Sequence, residues 1–136
     1  MTIALQYCNV TVNDVDESIA FYGGALGLEV VNDVASGEYR WVTLGTDAQP
    51  GLGIVLSVPY AGRSKADGDA MQELLTKGVL PMLVFNSDDV DATFEKVRAS
   101  GAEVLQEPMD QGWGPRDCAF RDPSGNMVRI AQALPA

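Results

Sequence analysis

Histidine is absent from this 136-residue chain. Without imidazole the chain has no histidine general base and no histidine metal ligand. No G-x-S-x-G elbow and no strand–GxxxxGK–helix context is present either, so nucleophilic hydrolysis and phosphate-loop chemistry have no support. Basic residues are scarce: 9 Lys and Arg stand against 19 Asp and Glu, a net charge of −10. That balance argues against nucleic-acid or anionic-membrane partners, which need basic patches. It permits attraction of cationic ligands, although acidic surfaces commonly serve solubility alone. There are only two cysteines, Cys8 and Cys118, each in an apolar context with no CxxC or zinc-type spacing. They read as buried thiols rather than a disulfide framework. No apolar run approaches the roughly 20 residues that span a bilayer. The start, MTIALQYCNV, lacks the basic and apolar regions of a signal peptide. A cytoplasmic protein is the expectation.

What the chain does contain is one pattern used twice. Residues 8–31 read CNVTVNDVDESIAFYGGALGLEVV and residues 83–105 read LVFNSDDVDATFEKVRASGAEVL. Each copy runs from an apolar strand through an acidic turn to an amphipathic helix, a glycine and a second apolar run. Val15, Ile19 and Tyr22 in the first copy match Val90, Phe94 and Val97 in the second. Both sets have the i, i+4, i+7 spacing of one helix face. A repeat of this kind sets the architecture.

The pattern predicts strands at 4–12, 28–34, 38–44 and 52–58 around a helix at 15–26. In the second half it predicts strands at 80–86, 103–106, 116–121 and 127–131 around a helix at 90–100. The fold class is therefore α+β, built from two β-α-β-β-β modules. The first module spans 1–58 and the second 79–136, joined by a linker over 59–78. The linker starts loop-like and becomes a short helix over 68–76 with Met71, Leu74 and Leu75 on its apolar side. Glu107 to Pro115 reads as a loop, Asp122 to Asn126 as a hairpin turn, and the tail LPA as loose. An Arg–Asp pair between Arg121 and Asp122 is expected to orient the turn.

Alternation sorts the side chains. In the first strand Cys8, Val10 and Val12 point one way, while Tyr7, Asn9 and Thr11 form a mixed polar and aromatic face suited to a ligand. Tyr39, Trp41 and Thr43 alternate with Arg40, Val42 and Leu44. In the last strand Met127, Arg129 and Ala131 oppose Val128 and Ile130.

Three features coincide: the duplicated module, SIAFYGGALGLEV after a first strand, and FRDPSGNMVRI near the end. Together they resemble the vicinal oxygen chelate superfamily, the group of glyoxalase I, extradiol dioxygenases and bleomycin-resistance proteins. The resemblance covers nearly the whole chain. It implies two modules whose curved sheets form a cup, with helices on the convex side and ligand or metal on the concave side. It also implies a homodimer. GWGPRDCAF is similar to a bleomycin-resistance segment, with Gly112 in place of the usual proline before Trp113.

In metal-dependent members the resemblance places ligands at the starts of both first strands and three residues after the Asn of D-P-x-G-N. Here those positions hold Tyr7, Met82 and Arg129. The segment 53–58, where a fourth ligand aligns less securely, has no acid, amide or His. A guanidinium has no lone pair to donate and is permanently cationic. No metal and no other cofactor is therefore expected. An atypical site using Glu38, Asp117 or Glu107 has no convincing spacing.

The expected binding surface comprises Tyr7, Asn9, Tyr39, Trp41, Met82 and Val84 with Trp113, Arg116, Asp117 and Arg129. Trp113, between two glycines, either stacks on a planar ligand or packs on its own module or on a dimer partner. Arg129 either grips a ligand carboxylate or phosphate, or pairs internally with Asp117 or Glu38, and the internal pair is preferred. The reading is a metal-independent small-molecule-binding homodimer of the bleomycin-resistance type, taking an antibiotic or another aromatic or cationic ligand. The alternative is a lyase or dioxygenase with an atypical metal site.

Overall fold

The computed structural model describes residues 1–132. The tail expected to be loose lies outside them. Two four-stranded mixed sheets are present, with strand orders β1-β4-β3-β2 and β5-β8-β7-β6. The first contains β1 (Tyr7–Thr11), β2 (Glu29–Ser36), β3 (Tyr39–Gly45) and β4 (Gly53–Ser57). The second contains β5 (Leu83–Asn86), β6 (Glu103–Asp110), β7 (Arg116–Arg121) and β8 (Met127–Gln132). In each, the strand before the helix pairs parallel with the last strand, and the remaining pairs are antiparallel. The α+β class and the tandem modules are as the sequence implies.

Helix α1 (Val15–Ile19) is capped by Asp14, whose side chain accepts from Glu17 N–H, and it continues into a π-helical stretch over Ala20–Ala25. Gly27, at φ +80°, then reverses the chain in a backbone region that favours glycine. Helix α3 (Val90–Ala99) is capped by Asp89 in the same manner. In sequence the two sheets are joined by α2 (Lys65–Lys77), capped by Ser64. It starts before the expected residue 68 because Ser64 supplies the cap and Lys65 to Asp67 form the first turn. Its apolar side is narrower than the spacing suggests. Leu75 is fully buried, whereas Leu74 is exposed.

β6 also runs past the expected boundary at 106. The strand bends at irregularities between Val104, Gln106 and Met109, and pairing resumes with Met109 opposite Asp117. Pro108 cannot donate to a ladder, so it marks a bulge rather than an end.

The helix-facing sides of both sheets share one core. Val10, Val42, Leu44 and Leu56 belong to the same buried cluster as Phe94, Phe120, Val128 and Ile130. Cys118 is buried in it and Cys8 is only half-buried, and both are free thiols. Burial first, then the charge of Asp117, pushes the Cys118 thiol up to about 11, so it packs as a small apolar group.

A polar latch joins the modules. Tyr22 donates its hydroxyl to Asp122 Oδ2 at 2.7 Å across the core. Asp122 also accepts from the Ser124 and Asn126 amides and from Asn126 Nδ2. Asn126 Nδ2 in turn donates to the Thr11 carbonyl, and Asn13 N–H donates to Ser124 Oγ. The expected Arg121–Asp122 pair does not form. Arg121 donates to the Gly125 carbonyl and pairs with Glu103 at 3.6 Å. Asp122, in the turn after β7, is buried against Tyr22 and the turn's own donors, which leaves Arg121 to other partners.

Burial, the Asp122 charge and the hydrogen bond hold the Tyr22 hydroxyl protonated far above its usual range. Tyr22→Phe leaves Asp122 with its other three donors, so urea unfolding is expected to show a loss of about 1–2 kcal/mol with the transition still single. Two separated transitions, or no loss, contradict the latch.

Candidate functional site

Each sheet has one face in the shared core and one face turned away from it. On the first sheet the outer face carries Tyr7 and Asn9 from β1, Tyr39, Trp41 and Thr43 from β3, and Gly53, Val55 and Ser57 from β4. The register sets Tyr7 beside Gly53 and Asn9 beside Val55. Thr43, Val55 and Ser57 form a buried floor, with Tyr39 and Trp41 half-buried and Tyr7 and Asn9 exposed. Gly53 is required for close approach: an added Cβ would lie 2.9 Å from Thr43 Cγ2 and 3.0 Å from the Leu44 carbonyl oxygen. A cleft of about 320 Å³ lies beside it, lined in part by Tyr7, Val31 and Thr43.

The second sheet carries the charged part. Its outer face has a row Val84–Arg129–Ala119–Gln106 across β5, β8, β7 and β6. The adjacent row runs Asn86–Ala131–Asp117–Met109. Asp117 is fully buried. Its Oδ1 accepts from Gln106 Nε2 at 2.7 Å and Gln111 Nε2 at 2.8 Å, and its Oδ2 accepts from Arg129 Nη1 at 2.9 Å. Arg129 Nη1 also donates to Gln106 Oε1 at 3.1 Å, which closes a three-residue ring. Of the partners open to Arg129, Asp117 is the one it takes.

Burial pushes the Asp117 carboxyl up. The donors Gln111, Gln106 and Arg129, together with the Arg129 charge, outweigh it and hold the group below its usual range. A carboxylate this deep is tolerated because both oxygens are bonded and a cation is paired.

The ten expected residues fall into five places. Tyr7, Asn9, Tyr39 and Trp41 share the first outer face. Met82, just before β5, is exposed, as is Val84, and the second outer face holds Val84, Asp117 and Arg129. Trp113 sits at the tip of the β6–β7 connection with 72% exposure. It does not pack on its own module, and its ring is open to a planar ligand or to a dimer partner. Arg116 lies apart on the helix side, where it grips Asp91 of α3 and Asp110 of β6. Gln106 and Gln111 escape sequence reasoning, because an amide bonding a buried carboxylate leaves no local pattern. A cleft of about 1140 Å³ lies between the modules and includes Val84 alone of the ten.

The positions at which the resemblance places metal ligands do not fit a metal. Tyr7 is an exposed phenol, Met82 a thioether, and Arg129 a bound cation. Among the described residues no three His, Cys, Asp or Glu side chains converge as a donor set. The carboxylate nearest to hand, Asp117, already spends both oxygens on nitrogen donors.

The pair sets a pH dependence. A depressed folded-state carboxyl contributes stability that is present above its unfolded range near pH 4 and lost as pH falls through the lower folded value. Arg129→Met is expected to cost about 3 kcal/mol at pH 7, because it strands a buried carboxylate. In acid titrations followed by circular dichroism, the gap between the parent and Arg129→Met narrows below about pH 4. A gap that is constant with pH contradicts the ion pair.

Comparison with known proteins bears on this geometry. The chain is similar to lactoylglutathione lyase of Haemophilus influenzae, with 29% identity over 125 residues, 89% of this chain and 86% of that protein. Among solved structures it is similar to UcmS2, at TM-score 0.85 and 32% identity, covering 96% of this chain and 98% of that one. It is also similar to TnmS3, an antibiotic binding protein from Streptomyces sp. CB03234, at TM-score 0.76 and 25% identity over 98% and 99% of the two chains. A model of the Glyoxalase/Bleomycin resistance protein/Dioxygenase superfamily matches residues 4–130, and with both modules, the D-P-S-G-N turn and the outer faces in place the chain belongs to that superfamily.

Proposed function

We propose that this protein binds a small, planar or aromatic molecule on the outer faces of its sheets and holds it without metal chemistry. The observation that carries this reading is the Asp117–Arg129 pair, which stands where metal-dependent relatives are expected to place a carboxylate ligand. The surroundings suit an organic guest. Tyr7, Met82 and Val84 are exposed, Trp41 is half-buried, and Trp113 is free to stack. The likeness to an antibiotic binding protein supports an antibiotic-like guest, sequestered rather than transformed. The net charge of −10 favours neutral or cationic guests over anionic ones.

The functional form in this proposal is a homodimer in the cytoplasm. β2 is exposed along its whole length, and Val30, Val31, Val34, Leu105 and Met109 are exposed with it. A second copy covering such surface would complete a cup that one chain leaves open. No helix among the described residues is long and apolar enough to cross a membrane.

Intrinsic fluorescence of Trp41 and Trp113 tests the proposal. Chelator-treated protein is titrated with bleomycin-type, planar aromatic and cationic aromatic compounds. Saturable quenching is expected with at least one class, unchanged by adding nickel, zinc, manganese or iron(II). Response to no class, or binding and turnover only after a metal is added, overturns it in favour of a lyase or dioxygenase.

A further inference from the structure

We infer that Arg129 is the polar anchor of the ligand face and that it takes an uncharged oxygen, a carbonyl or hydroxyl, from an aromatic guest. This rests on the reading of the outer face as a ligand-binding surface and specifies what that surface selects. A guanidinium carries five N–H donors in a rigid plane. Both hydrogen bonds of Arg129 leave from Nη1. The donors on Nε and Nη2 have no acceptor among the described residues. No side-chain nitrogen or oxygen among them is both buried and unbonded, so these donors are open to solvent. Half of the guanidinium is fastened and half is free.

The fastened half fixes the direction of the free half. Nη1 is held from two sides, by Asp117 Oδ2 and Gln106 Oε1, and Asp117 is itself immobilised by Gln106 and Gln111. A donor oriented before the guest arrives loses little side-chain freedom on binding. The register also places Val84 and Ala119 on either side of Arg129. Val84 is 58% exposed and supplies an apolar wall for the ring that carries the oxygen.

Charge selects the kind of oxygen. Arg129 and Asp117 cancel, so the face offers hydrogen bonds without net positive charge. A ligand carboxylate or phosphate would compete with Asp117 for the same cation and meet the repulsion of a chain at −10. An ammonium group has no lone pair to offer. A ketone, amide or hydroxyl oxygen accepts without disturbing the pair.

The test uses three probes on one skeleton: 1-tetralone, tetralin and tetralin-1-carboxylate, titrated by ligand-observed NMR. With the parent protein the ketone is expected to bind about tenfold more tightly than the hydrocarbon, and the carboxylate more weakly than the ketone. In Arg129→Gln combined with Asp117→Asn, which removes both charges together, the ketone advantage disappears and tetralin binding is retained. As a check that needs no variant, the Arg129 Nε–H resonance of nitrogen-15-labelled protein is expected to move with tetralone and stay with tetralin. Equal binding of ketone and hydrocarbon, tightest binding of the carboxylate, or a stationary Nε–H overturns the inference and leaves the binding face intact. Binding of none of the three overturns this inference, and no response to any class in the fluorescence titration overturns the proposed function with it.

Discussion

The carboxylate of Asp122 is the constraint on which the rest of the molecule depends. It lies in the turn between the last two strands, yet one of its four donors, Tyr22, belongs to the first module's helix. Asn126, bonded to the same carboxylate, reaches the backbone of the first strand at Thr11. A single ionisable group thereby spans two halves whose apolar faces meet in one core. Removing it would leave a phenol, an amide and two backbone N–H groups to find new partners in a buried setting, where unpaired groups are costly. Hydrophobic contact holds the modules together. The latch fixes how they are set against each other.

Asp117, at the other end of β7, repeats the device for a different purpose. It too is buried and fully bonded, but its partners come from its own module and it supports an arginine on the outer face. The exposed ion pairs are of another kind. Lys65–Asp69 and Lys77–Glu73 lie along the open side of α2 and contribute little to stability. The two buried carboxylates do the specifying: one sets the arrangement of modules, the other the polarity of the face. A scaffold whose relatives include enzymes is thus compatible with a site built on hydrogen-bond donors.

Much of this was legible in the sequence because the relevant signals are periodic. The 3.6-residue spacing of Val90, Phe94 and Val97 marked a helix that buries all three. Two-residue alternation put Val10 in the core and Asn9 outside it, and it separated Arg129 from Val128 and Ile130. What escaped depends on register or on local exceptions. Nothing in Ala20 to Ala25 announces a π-helical turn. Glu107 to Pro115 reads as a loop, yet the strand continues to Asp110 with Pro108 at a bend inside it. Arg121 reads as the partner of its neighbour Asp122, but Asp122 is taken up by Tyr22 and the turn, and Arg121 bonds the Gly125 carbonyl. Gln106 and Gln111 reach Asp117 only once β6 and β7 are paired with their irregularities, and no one-dimensional pattern carries that.

The central claim is that the outer faces bind an organic guest with no metal between guest and protein. Backbone and side-chain NMR of metal-stripped, isotope-labelled protein, titrated with an aromatic ketone, tests it most directly. Shifts are expected to concentrate on Tyr7, Asn9, Trp41, Val84, Ala119 and Arg129, with α1 and α3 unmoved. Shifts confined to the cleft between the modules, or shifts that appear only after a divalent metal is added, would contradict it.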